Sequence, residues 1–196
     1  MRRPQAVEKL HVCNSLVTAA RPFPAGPGVP LAVSTVVGVS IAVFDIDGVV
    51  ADVRHRLHHL ERKPKDWTGF FAAAAGDSGL AEGIDRVLAA VDDHEIVWLT
   101  GRPNSLRAVT RDWLADRGLP VTELIMRGHR DFRPAPVLKV AELTALRDSG
   151  RQVRLFVDDD ARVIAAAGKA GFPVVLADWM PSSPVLSQAQ DQAGRT

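Results

Sequence analysis

The chain of 196 residues carries 15 Gly, 13 Pro, 46% hydrophobic and 24% charged residues, the profile of a globular protein with one modest domain and some additions. Lys and Arg number 24 against 23 Asp and Glu, so no whole-chain field declares a nucleic-acid or membrane partner, and any preference for polyanions must be local. The single cysteine, Cys13, excludes an internal disulfide and a Cys-rich zinc site and points to a reducing, cytoplasmic setting.

Residues 1–35 include RPFPAGPGVP, a Pro/Gly-dense stretch without helical or strand periodicity, which predicts a disordered or weakly docked leader. Residues 29–44 are nearly all apolar, but the run is shorter than the roughly 20 residues of a membrane span. It is broken by Ser34, Gly38 and Ser40 and runs into FDIDG, not a small-residue cleavage site. That argues against a secretion signal and for a buried strand in its second half.

From there β-branched runs alternate with amphipathic stretches. Strands are expected near residues 39–44, 95–99, 122–126, 153–157 and 174–176, with helices between them. Such alternation implies an α/β fold, a parallel sheet with helices on both faces. A first helix is expected to open near Pro103, to carry Leu106, Val109 and Trp113 on its apolar face, and to stop at Gly118. A second is expected over about 136–148, and a third from Asp160 to Gly171. Residues 36–180 would form this domain, and the polar stretch 181–196 reads as a frayed, flexible tail.

Between the first strand and a helix at 80–91 lies an insertion, residues 51–79, containing RHRLHHLERKPKDWTGFF. It is too long for a simple connection. Placed at the carboxyl end of a strand, where open α/β sheets bind ligands, it predicts a small, mostly helical cap.

Four short signals fall at strand ends or a helix start: Asp45 and Asp47 in FDIDGVV, Thr100 in WLTGRP, Lys139 in RPAPVLKV, and Asp158 to Asp160 in LFVDDD. Converging carboxylates suit Mg²⁺, a hard cation that prefers oxygen ligands and binds through one or two carboxylates plus substrate phosphate. The same residue types suit phosphoryl transfer. One carboxylate attacks phosphorus, a second protonates the departing oxygen, and a hydroxyl and an ammonium steady the phosphoryl oxygens.

In order and type these motifs resemble the haloacid dehalogenase superfamily, over about residues 39–177, which implies a Rossmann-like fold with the cap after the first strand. The resemblance implies Asp45 as nucleophile, Asp47 as general acid/base, and Thr100 and Lys139 as phosphate stabilisers. Asp158 and Asp159 would anchor Mg²⁺, with Asp45 also a ligand and Asp47 ligating through its backbone carbonyl. An Asp at position 47 favours phosphatase chemistry, because dehalogenases lack this second acid and the superfamily's ATPases resemble DKTGT. Within the superfamily, Arg56, the Asp66-Trp67 pair, the Thr100-Gly101-Arg102 motif and the DD pair are most similar to the 3′-phosphatase domain of phage-type polynucleotide kinase/phosphatase. That likeness implies Arg56, Gly101 and Arg102 at the phosphate. No GxxxxGK[ST] sequence occurs, so a kinase half is absent from this chain.

Competing readings fare worse. A calcium loop starting at Asp45 needs an acid where Val49 stands and Glu where Arg56 stands. A receiver domain places its acidic pair before the phosphorylated Asp, not far after it. Asp160 reads as the cap of the following helix. His55, His58 and His59 suit a polar lid face or substrate contact better than a Mg²⁺ site. Trp67, Phe70 and Phe71 suit either base stacking or the lid's own core. The lid's excess of Arg54, Arg56, Arg62, Lys63 and Lys65 over Glu61 favours a phosphate-bearing substrate.

The expectation is a Mg²⁺-dependent phosphomonoesterase working through an aspartyl-phosphate, with a polynucleotide 3′ end as substrate. The alternatives are a phosphatase for mononucleotides or small metabolites and a non-catalytic nucleic-acid-binding module. The partner is a phosphorylated nucleic-acid end or nucleotide; no membrane and no obligate protein partner is inferred.

Overall fold

The computed structural model describes residues 38–181 and 183–193, so the expectations for residues 1–35 lie outside the described residues. In chain order the elements are β1 (Ser40–Phe44), then β2 (Ala51–Asp52), α1 (His58–Glu61), α2 (Trp67–Ala72) and β3 (Ser78–Gly79) of the insertion. There follow α3 (Ala81–Ala90), β4 (Glu95–Pro103), α4 (Arg107–Ala115), β5 (Glu123–Arg127), α5 (Ala135–Asp148), β6 (Gln152–Asp158), α6 (Ala161–Lys169), β7 (Val174–Leu176) and α7 (Pro184–Ala193).

The five long strands form one parallel sheet in the order β5-β4-β1-β6-β7. Its strands are apolar almost throughout because both faces are covered. Ala42 and Phe44 of β1 and Ile96 and Trp98 of β4 face one cluster with Val87 of α3 and Trp113 and Leu114 of α4. Their neighbours Ile41, Val43, Val97 and Leu99 face the other, with Leu143 of α5 and Val163 and Ala167 of α6. Period-two alternation along each strand therefore feeds two cores.

The order reverses beside β1: the chain builds β4 and β5 on one side of it and β6 and β7 on the other. The carboxyl ends of β1 and β6 are adjacent, with Phe44 opposite Val157 and the Asp45 amide donating to the Val157 carbonyl at 2.9 Å. Crevices of this kind are the usual ligand sites of open α/β sheets.

The insertion is mostly helical, as expected. β2 and β3 pair antiparallel at its base, and its own apolar residues Val53, Leu57, Leu60 and Phe70 form a third cluster. That cluster is completed by Met180, Leu186 and Ala189, so residues 184–193 are a helix, not the frayed tail their polar composition suggests. The apolar positions 185, 186 and 189 share one face of α7, and burial against the cap supplies what propensity does not.

A second correction concerns Pro103. It ends β4 instead of opening a helix, because the chain stays extended through Pro103, which lies opposite Arg127 of β5. The helix begins at Arg107 after a 3-10 turn over Asn104–Leu106. Its core face is Thr110, Trp113 and Leu114, while Val109 is 38% exposed.

Candidate active site

β1 delivers Asp45 and, through the turn that follows, Asp47 to the sheet's carboxyl edge. The turn is tight: the amides of Val49, Val50 and Ala51 all point at the Ile46 carbonyl. Gly48 adopts φ +75° there, and a Cβ at this position would lie 2.4 Å from Asp159 Oδ2. Glycine thus permits both the left-handed backbone and the approach of the Asp159 carboxylate.

Lys139, in the second turn of α5, is fully buried and bridges the two distant acidic motifs. Its Nζ lies 2.7 Å from Asp45 Oδ2 and 2.6 Å from Asp158 Oδ2. Asp158 Oδ1 accepts from the Asp160 amide at 2.9 Å. Asp160 in turn caps α6, accepting from the Arg162 amide at 2.9 Å. Asp45, Asp158 and Asp159 each offer an oxygen within 4.8 Å of the others. The other Asp45 oxygen, Oδ1, is buried without a hydrogen-bond partner.

Asp47 sits in a second, arginine-rich half of the site. Its Oδ1 accepts from Arg56 Nη2 at 2.8 Å and from Arg102 Nε at 2.9 Å, and it also pairs with Arg102 Nη2. Both guanidiniums continue to Asp77: Arg56 through Nε and Nη2 at 2.8 Å each, Arg102 through Nη2 at 2.7 Å. Arg56 also stacks over the Phe70 ring at 4.1 Å. The two arginines are wholly buried, and Arg102 Nη1 has no hydrogen-bond partner. Thr100 is buried beside them, its Oγ1 accepting from the Arg102 amide at 3.2 Å. Gly101, between them, is buried too.

The structure therefore gathers Asp45, Asp158, Asp159 and Lys139 in one cluster and Asp47, Arg56 and Arg102 in its neighbour. The residue that sequence reasoning missed is Asp77. It is 1% exposed and accepts from His55 Nε2 at 2.9 Å besides the two arginines. Its carbonyl takes the Trp113 indole at 2.9 Å and Arg117 Nη2 at 2.7 Å, which ties the cap's last turn to α4. In sequence Asp77 resembles an ordinary helix-start acid. The signal that could have found it is charge: two buried arginines beside one carboxylate need a second anion.

The other lid residues have local duties. Asp66 caps α2 through the Gly69 amide at 2.8 Å and pairs with His59 Nδ1 at 3.0 Å. Trp67 and Phe71 stack at 5.8 Å between centroids while packing on the cap cluster.

Charge and burial set the protonation of the site. Asp45, Asp47, Asp77, Asp158 and Asp159 face Lys139, Arg56 and Arg102, which leaves an excess of two negative charges when all are ionised. Burial raises the carboxyl pKa of Asp45, and burial together with Asp45 nearby pushes Asp158 up to about 7. Burial beside Asp158 and Asp45 pushes Asp159 well above the usual range. Asp47 is the opposite case: burial alone would raise it, but the Arg102 and Arg56 guanidiniums hold it down at about 2. A divalent cation fits this chemistry: three carboxylates converge, Asp45 among them has an orphaned buried oxygen, and the excess charge matches. No described helix is long and apolar enough to cross a membrane.

Comparison with known proteins identifies the family and the fold. The family model for the polynucleotide kinase PNKP phosphatase domain matches residues 39–178. A curated protein of Halalkalibacterium halodurans named "Putative nucleotidase BH1399" is 26% identical over 99 residues, 50% of this chain and 45% of that protein. Among solved structures, a chain of the Pnkp1/Rnl/Hen1 complex superposes with a TM-score of 0.60 at 19% identity, covering 74% of this chain and 47% of that one. The class C acid phosphatase from Bacillus anthracis superposes with a TM-score of 0.56 at 14% identity, covering 78% and 71%. These superpositions reflect a shared fold. The chain spans less than half the length of the curated relative and of the Pnkp1/Rnl/Hen1 chain.

Proposed function

The chain belongs to the family of polynucleotide kinase PNKP phosphatase domains, within the haloacid dehalogenase-type phosphatases, and from that premise we propose that it removes the terminal phosphate from a polynucleotide 3′ end with the help of Mg²⁺. The observation that carries the chemistry is the Lys139 bridge, which joins the nucleophile candidate just after β1 to Asp158 at the end of β6, with Asp159 beside them.

In this reading Asp45 attacks phosphorus, the bond to the sugar O3′ breaks, and an aspartyl-phosphate forms while the departing oxygen takes a proton from Asp47. Asp47 then takes a proton from water, the water oxygen attacks the acyl-phosphate, and inorganic phosphate leaves with Asp45 restored. Lys139 and the Thr100 hydroxyl donate to the phosphoryl oxygens, and Gly101 leaves the backbone room to approach them. Mg²⁺ held by Asp45, Asp158, Asp159 and the Asp47 carbonyl would neutralise charge between the attacking carboxylate and the phosphate.

Arg102 links binding to proton transfer. Its buried Nη1 lacks a hydrogen-bond partner, and a phosphate that reaches this guanidinium competes with Asp47 for it. The carboxyl, held near 2 without substrate, regains proton affinity when a phosphate shares its partner. Arg56, wholly buried and bidentate on Asp77, orients Asp47 and adds positive potential to the phosphate site.

Mononucleotide hydrolysis is the second reading, favoured by the likeness to the Halalkalibacterium protein. Purified protein with Mg²⁺ is assayed on a 3′-phosphorylated oligonucleotide, its 5′-phosphorylated counterpart and free mononucleotides. The first is expected to have the highest kcat/KM, and Asp45→Asn to abolish its turnover. A preference for mononucleotides would establish the second reading, and turnover surviving Asp45→Asn would reject the nucleophile.

A further inference from the structure

A groove of about 790 Å³ opens beside the phosphate site, between the cap helix α2 and the loop that follows β5. Small-molecule sites are commonly about 300–1,000 Å³. One wall is aromatic, made by Trp67 and Phe71 one helical turn apart on α2. The other carries Phe132, 71% exposed. The floor includes Gly101, the residue that follows Thr100. Gly101 thus places the groove next to Thr100.

The Phe132 ring is therefore accessible to a ligand in the groove. The loop that carries it is held: Arg127 Nη1 donates to the carbonyls of Arg133 at 2.7 Å and Asp131 at 3.3 Å. Arg133 pairs with Asp131 and keeps that carboxyl down at about 2. The groove's one acid, Asp131, is thus paired with both Arg133 and Arg127, and the exposed Arg130 adds positive charge to the lining. Aromatic faces in a positive groove suit a stacked nucleobase joined to a phosphodiester.

Resting on the 3′-phosphatase reading, we propose that this groove receives the 3′-terminal nucleoside of the substrate, its base stacking on Phe132 against the Trp67 and Phe71 wall, with the preceding phosphodiester toward Arg130. The enzyme then reads a base-bearing end without reading its sequence, because every base offers a π-face.

Two 3′-phosphorylated oligonucleotides test this, identical except that one ends in a tetrahydrofuran abasic analogue. The wild type is expected to favour the base-bearing end by roughly tenfold or more in kcat/KM, as loss of one base-aromatic stack predicts. In Phe132→Ala and Phe132→Leu that ratio is expected to collapse toward one. Binding is followed separately in Asp45→Asn, where base-bearing oligonucleotide is expected to quench Trp67 emission more strongly than abasic, with Trp67→Phe identifying the signal. Hydrolysis of both ends at equal rates, or a ratio unchanged by Phe132→Ala, overturns the nucleoside subsite and leaves the 3′-phosphatase reading intact. Base-dependent quenching without hydrolysis of either end overturns that reading and keeps the subsite. Neither quenching nor hydrolysis overturns both.

Discussion

Asp77 answers to three cationic or titratable neighbours, His55, Arg56 and Arg102, while Asp47 answers to the two arginines alone. Removing the Asp77 carboxylate leaves two desolvated guanidiniums with one counter-ion between them. Breaking such buried pairs by deleting one partner typically costs about 3–5 kcal/mol. Asp77→Ala is therefore expected to lower the unfolding free energy by that order, measured by chemical denaturation. It should also lower kcat at temperatures where the variant remains folded, since both arginines then bear on Asp47 differently. Asp77→Asn keeps the shape and part of the hydrogen bonding and should fall between. A variant with wild-type stability and kcat would show that Arg56 and Arg102 need no second anion. The same residue marks the limit of reading side chains from sequence. Asp45, Asp47, Thr100, Lys139 and the acidic pair are legible because each follows an apolar run or opens a helix in a fixed order along the chain. Asp77 sits in AAAAGDSGL, where nothing local separates it from a helix cap. What makes it matter is burial beside residues far away in the chain.

Elements position these side chains through a few close approaches. The turn after β1 is one: its Val49 carbonyl accepts from the Trp179 indole at 2.8 Å and would lie 1.8 Å from a Cβ on Gly83. α3 can abut the turn only because position 83 is glycine. Gly48 is the other, and Gly48→Ala puts a methyl group into the Asp159 carboxylate at a φ that L-residues rarely adopt. The variant is expected to fold with reduced stability and to need more Mg²⁺ for half-maximal thermal stabilisation. An unchanged Mg²⁺ titration would mean that Asp159 takes no part in holding the ion. Local pattern foretold most elements well, since β-branched runs bounded by Gly and Pro mark strands whatever their neighbours. It failed where tertiary pairing decides. Thr100 to Pro103 stay extended because β5 lies alongside and Asp47 draws Arg102 inward. α7 is helical because the cap's apolar residues need a cover, which no count of Ser and Gln in the tail reveals.

At the scale of the molecule, the buried carboxylates of the site make it a store of protons. Asp158, with its carboxyl pushed up to about 7, and Asp45 and Asp159, also raised, keep protons in the metal-free folded state that the unfolded chain releases near its ordinary value of 3.8. The folded state therefore binds more protons above the unfolded value, and the stability from Asp158 is fully present below that value and lost as pH rises through about 7, with Asp45 and Asp159 acting in the same direction. Divalent cations act in the opposite sense, because they bind the deprotonated carboxylates and release those protons. The thermal shift that Mg²⁺ produces over EDTA is thus expected to be small at about pH 5 and to grow up to about pH 8, a window set by carboxylates displaced upward by burial. Taking the difference between the two conditions cancels the exposed pairs such as Asp131 with Arg133, whose carboxyl moves the other way. Differential scanning calorimetry in matched buffers measures it directly. A shift of the same size at every pH would mean that the ion does not sit on these three carboxylates, whereas a shift lost in Asp158→Asn would tie it to the β6 end.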